Sequence, residues 1–135
     1  MRYTVLIDGE PGGYGVVFPD LPGCTAMGDT VEAALADAAS AARDWARVTE
    51  RHGRAVPPPR DLAALRKDPE VVEALAEGAA LASVVLLRGV GRPVKANLSL
   101  SAEVLAAIDE AAARTGRTRS AMVETLAGVG LPLVS

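Results

Sequence analysis

Between Val94 and Leu100 the side chains alternate, with Val94, Ala96, Leu98 and Leu100 apolar and Lys95, Asn97 and Ser99 polar. A period of two predicts a strand with one dry and one wet face. An ammonium, a carboxamide and a hydroxyl along the wet face can reach base edges from a two-stranded ribbon in a major groove. The same alternation also fits a ribbon whose wet face does no more than meet water. A second chemical feature follows at Thr118, Arg119 and Ser120. Thr118 is expected to cap a helix there. The free N–H groups of its first turn, a hydroxyl and a guanidinium make an anion site, because helix N-termini attract phosphate by geometry and dipole. One element would read bases and the other would hold the phosphate backbone.

Other reactive groups are sparse. Asp8, Asp20 and Glu32 are the acids expected near strand ends. Two-metal nuclease chemistry needs such carboxylates gathered around the ions. These three form no motif, and each sits as easily in a turn or a cap. A metal-dependent nuclease is therefore the weakest of three readings, and no catalytic residue is expected. His52, the only histidine, has no Cys or His partner at ligand spacing, so no metal site is expected. Cys24 follows a Pro-Gly turn without an obvious base and reads as a small packed residue. Trp45 reads as core. No cofactor is implied.

The elements that must position these groups fall into two sets. Aromatic residues are only 3% of the chain while hydrophobic ones are 50%, so a core must be built from small and aliphatic side chains. Residues 2–8 and 14–18 read as strands joined through GEPGG, a hairpin. PDLPGCTAMGDT follows, an ordered loop with a short strand at Cys24–Met27. Asp29 or Thr30 is expected to cap a long helix, Asp29 pairing with Glu32 in one capping-box register. Its apolar stripe is Val31, Ala34, Leu35, Ala38, Ala42, Trp45 and Ala46, and Gly53 is a plausible stop. Residues 54–60, RAVPPPR, form a stiff extended spacer. One or two short helices come next, with Asp68 as cap and Pro69 at the first helical position. ALASVVLL, residues 80–87, reads as a buried strand. RGVGRP, residues 88–93, is the best linker candidate.

Beyond the linker, Ser101 is expected to cap a helix with Leu105, Ile108, Ala111 and Ala112 on its inner face, ended by Gly116. The second helix offers Met122, Val123 and Leu126. Strand, helix and helix make a unit smaller than the roughly 40 residues that usually fold unaided. A lone strand also leaves two bare edges. Antiparallel pairing with the same strand of a second chain removes both problems, and four helices then close over the ribbon. The expected dimer core is Val94, Ala96, Leu98, Leu100, Leu105, Ile108, Met122 and Leu126.

Net charge is −3, and the acidic excess lies before Arg92; from Arg92 onward bases outnumber acids by one. Binding to DNA would therefore rest on a few placed contacts rather than a charge cloud. No apolar run approaches the ~20 residues that cross a bilayer. The N-terminus makes a poor signal peptide, and with the lone Cys24 it predicts a cytoplasmic protein.

KANLSLSAEVLAAIDEAAARTGRTRSAMVETLA resembles the ribbon-helix-helix repressor family over the whole segment. The resemblance implies that Lys95, Asn97 and Ser99 read bases and that Thr118, Arg119 and Ser120 hold phosphate. Ser99 departs from the long basic or amide side chain many members carry there. Tyr3–Asp8, Gly13–Phe18, PDLPGCTAMGDTVEAA (residues 19–34) and the proline-rich spacer together resemble HicB-type antitoxins. That similarity spans about residues 2–88 and implies a partial ribonuclease-H-like fold and a small RNA-cleaving HicA-like toxin as partner. Ala33 stands where an acid is common.

The expected fold class is α+β: a small antiparallel sheet with a packed helix, followed by a dimeric ribbon-helix-helix module. The expected domains are 1–90, toxin-binding, and 91–135, DNA-binding and dimerising. The expected function is an antitoxin that occludes an RNA-cleaving toxin, through its sheet edge and the loops of residues 10–28, and represses its own operon on double-stranded operator DNA. The alternative is a stand-alone ribbon-helix-helix regulator whose N-terminal domain senses a ligand or protein. A homodimer is expected through the C-terminal module, with a tetramer left open.

Overall fold

The computed structural model describes residues 1–88 and 93–134. Met1–Arg88 and Gly89–Gly130 fall into two different compact units. The expected domain boundary at 90/91 and most of the RGVGRP linker lie outside the described residues.

In the N-terminal unit, β1 (Arg2–Glu10) and β2 (Gly13–Val17) form the expected hairpin, paired from Leu6–Val17 to Glu10–Gly13. β3 (Thr25–Gly28) adds to β2, and β4 (Ala80–Val85) adds to the other side of β1. The sheet is antiparallel throughout, in the order β3-β2-β1-β4. β4 is thus an edge strand. Val84 within it and Leu86 just beyond it are buried, rather than the whole 80–87 run expected, because among the described residues one flank of the strand has no neighbouring strand.

The helix α1 (Val31–Arg51) covers one face of this sheet. Tyr3, Val5, Ile7, Val16, Ala26 and Val84 pack with its Ala34, Ala38, Ala42 and Ala46, which recur every four residues. The small side chains let helix and sheet approach closely. A Cβ on Gly28 would lie 2.3 Å from Ala34 N, so no larger residue fits there. Tyr3 and Phe18 meet edge to face, with centroids 6.3 Å apart at 71°. Val31, expected on the stripe, is exposed at the helix start, and Ala39 is buried instead.

Thr30 caps α1 by accepting from Ala33 N–H (3.0 Å). The Asp29–Glu32 capping box is not formed, because Thr30 takes the cap position and Ala33, three residues on, has no carboxylate to return the bond. At the other end Gly53 adopts φ +74°, its N–H bonding Glu50 O (2.9 Å) while Arg54 N–H bonds Thr49 O (3.1 Å), a Schellman stop.

On the second face of the sheet lie α2 (Leu62–Leu65) and α3 (Pro69–Ala76), with Leu6, Leu65 and Val71 as a small separate core. Asp68 caps α3 and Pro69 opens it, as expected.

The C-terminal unit holds α4 (Ala102–Arg114) and, as far as Gly130, α5 (Arg119–Val134). Ser101 caps α4 through Val104 N–H (3.2 Å), and Gly116, at φ +66°, ends it. Thr118 Oγ1 accepts from Ala121 N–H (3.1 Å) at the start of α5.

Candidate functional site

Residues 93–101 carry no regular secondary structure in the single chain, and residues 93–100 are exposed throughout. The strand expected at Val94–Leu100 is therefore not formed by one copy alone, whose described residues offer it no neighbouring strand. Lys95, Asn97 and Ser99 are open to solvent, and so are Val94 (88% exposed), Ala96, Leu98 (68%) and Leu100. Of the helix positions expected in a dimer core, Met122 is buried, Leu105 and Ile108 are half-buried, and Leu126 is exposed. Val94, Leu98, Leu100, Leu105, Ile108 and Val123 line an open groove of about 720 Å³ in this unit, and Asn97, Ser99, Arg119 and Ser120 share its wall. The groove brings together residues from both proposed DNA-contacting elements.

Arg119, expected to hold phosphate, already holds a carboxylate. Its Nε and Nη2 donate to the two carboxylate oxygens of Asp109, each at 2.8 Å. This fork-to-fork pair fixes the guanidinium at the start of α5. The charge-assisted bond holds the Asp109 carboxyl below the usual carboxylate range and raises Arg119 further. Arg117 Nη1 donates to Thr125 Oγ1 (2.7 Å) beside the same helix. Asp109 lies within the segment that resembles the ribbon-helix-helix family, but nothing in its spacing announced Arg119 as its partner.

In the N-terminal unit the three candidate acids do not gather. Asp8 lies on the second sheet face, where its Oδ1 accepts from Gly9 N–H (2.7 Å). Glu32 sits in the first turn of α1. Asp20 is buried: its side chain is 4% exposed, and it accepts from Arg60 N–H (3.0 Å) and Nε (2.5 Å). Arg60 Nη2 reaches on to Asp68 (3.1 Å). The backbone N–H of Glu70 first, then Arg60, hold the Asp68 carboxyl low. The proline-rich spacer is pinned at its C-terminal end by these bonds and at its middle by Tyr3 Oη, which donates to Pro57 O (2.6 Å). Arg60 is a positioning residue that the sequence reading missed. Only its place directly after three prolines hinted at a fixed orientation.

The remaining groups are structural. Cys24 is buried, and burial pushes its thiol up to about 11, away from thiolate chemistry. His52 Nδ1 donates to Val48 O (2.8 Å) at the end of α1. Trp45 packs at the margin of the main core, its Nε1 donating to Pro22 O (2.9 Å). Among the described residues, no group of three or more His, Cys, Asp or Glu is placed to hold a metal. No helix among them is long and apolar enough to cross a membrane.

The profile of the HicB-like antitoxins of bacterial toxin-antitoxin systems matches residues 3–127. The chain belongs to the HicB-like antitoxin family. Among solved structures, the Burkholderia pseudomallei antitoxin HicB shares 26% identity with a TM-score of 0.55, the alignment covering 95% of this chain and 96% of that one. The antitoxin HicB3 shares 29% with a TM-score of 0.55 over 95% and 96%. A chain of the HicA3 and HicB3 toxin-antitoxin complex shares 29% with a TM-score of 0.53, over 64% of this chain and 98% of that one. No curated protein matches this HicB-like antitoxin significantly. The α+β class, with its four-stranded antiparallel sheet and packed helices, agrees with that of the HicB structures.

Proposed function

We propose that this HicB-like antitoxin acts through its two units separately. The N-terminal unit binds a small RNA-cleaving HicA-like toxin and blocks it sterically. The C-terminal unit pairs with that of a second chain, Val94–Leu100 against Val94–Leu100, and the dimer represses the antitoxin's own operon. Lys95 and Asn97 read bases, with Ser99 beside them, while Thr118, Arg119 and Ser120 hold phosphate.

The toxin partnership is supported by similarity to a chain of a toxin-antitoxin complex. The repressor reading is carried by one observation: an apolar row and a polar row, alternating and both exposed, border an open groove beside a helix start that holds Arg119. An apolar row of that kind is costly in water unless a second surface covers it. The ion pair with Asp109 leaves Arg119 Nη1 without a partner among the described residues, so it can still meet a phosphate.

The test is a double substitution, Lys95→Ala with Asn97→Ala. Sequence-specific binding to the operator, read by a mobility-shift titration, is expected to disappear, since two base contacts are each worth about 1–3 kcal/mol. Binding of the toxin is expected to persist. Unchanged operator affinity would remove these residues from the base-reading role.

A further inference from the structure

The second face of the sheet carries a feature that the core does not need. Gly15 lies mid-strand in β2, opposite Asp8 on β1 and Met27 on β3. A glycine weakens a strand and often marks a place where another molecule comes close. A Cβ built on Gly15 meets nothing within 4 Å. The gap is therefore not required by any of the described residues. It belongs to a groove of about 230 Å³ between the sheet and α3, with Leu6, Val17, Val71 and Ala74 among its apolar walls. Val17 is 47% exposed and Met27, on the neighbouring strand, 73%. Asp8, Glu70 and Glu77 stand at the rim, all exposed, and among the described residues no Lys or Arg lines the groove. Among the described residues none of these three carboxylates forms an ion pair.

We infer that this face of the sheet, centred on Gly15, is where the N-terminal unit seats the basic surface of its RNA-cleaving partner. The inference rests on the antitoxin reading above and specifies its contact surface. A protein that holds RNA must present cations to phosphates. Three unpaired carboxylates around an apolar hollow complement such a surface, and an apolar side chain of the partner fills the space over Gly15. Occupation of its cationic face keeps RNA out by charge as well as by bulk. The contact is with the broad side of the sheet, not its edge.

The experiment uses the full chain and, as probe, a HicA-like toxin co-expressed with it and then separated under denaturing conditions and refolded. Affinity is measured at low and high salt for the wild type and for two variants. Gly15→Ile places a β-favouring side chain in open space, so the fold is retained while the hollow is filled. It is expected to weaken binding about 100-fold or more, as a clash at the centre of an interface does. Glu77→Lys puts a cation at the end of α3, where the helix tolerates it. It is expected to weaken binding about tenfold and to reduce the salt dependence. Melting temperatures should stay near the wild-type value. Equal affinity for wild type and Gly15→Ile would overturn the surface while leaving the antitoxin reading intact. Loss of self-association in Gly15→Ile would overturn it in favour of a second copy of this chain as the occupant. Failure of the wild type itself to bind would overturn the antitoxin reading and this surface with it.

Discussion

The two units of the chain solve the same problem in opposite ways. The N-terminal unit covers its apolar surface from within, with α1 on one sheet face and α2 and α3 on the other. Eight of its large side chains are less than 2% exposed. In the C-terminal unit Ala112 and Met122 are the buried hydrophobic residues among those described, while Val94, Leu98, Leu100, Val104 and Leu126 remain in water. Each aliphatic side chain left uncovered forgoes about 1.5–3 kcal/mol of stabilisation. The contrast separates a unit that is complete as one chain from a unit whose composition anticipates a second surface. Stability should therefore be independent of protein concentration in the first and dependent on it in the second.

The largest break in that contrast should come from Arg60→Ala. It strands the buried Asp20 carboxylate, leaving it only the backbone N–H of residue 60, and it frees the spacer from α3. Loss of one partner of a buried pair costs about 3 kcal/mol or more. Chemical denaturation should show that loss in the N-terminal unit at every protein concentration. A change below about 1 kcal/mol would mean that the Asp20–Arg60 pair does not organise the unit.

A smaller and matched pair of changes sharpens the comparison. Thr30→Ala and Ser101→Ala each delete the hydroxyl that caps a helix, in α1 and α4 respectively. Each should cost about 1 kcal/mol. For Thr30→Ala the cost should be the same in dilute and concentrated solution. For Ser101→Ala it should grow on dilution, since the unit it weakens is coupled to assembly. Identical concentration profiles for both would erase the distinction between the units.

Much of this organisation was legible before the structure. The GEPGG hairpin, the Asp68–Pro69 start of α3, the Ser101 cap and the Gly53 and Gly116 stops are local signals, set by residues a few positions apart. What was hidden depends on distance. Asp20 and Arg60 are 40 residues apart, and no local pattern joins them. The place of β4 beside β1 closes a long excursion through three helices, so its edge position could not be read from its apolar run. Asp109 and Arg119 meet only because a turn folds α5 back along α4. The groove over Gly15 is likewise a product of strand order, since its walls come from β1, β2 and α3. Of the proposed DNA-contacting residues, all six were singled out from residue type and spacing, yet the ribbon that would align them needs a neighbouring strand that the described residues of one chain do not supply.

Self-association of the full chain is the most direct probe of that missing strand. Equilibrium sedimentation should be run on the wild type and on Leu98→Glu, which places a carboxylate in the middle of the exposed apolar row. The expected result is a wild-type species with the mass of two chains at micromolar concentration, and a Leu98→Glu dimer at least about 100-fold weaker, or ≈ 2.7 kcal/mol. A wild type that sediments as a single chain, or a Leu98→Glu protein that pairs as well as the wild type, would contradict the ribbon and with it the repressor.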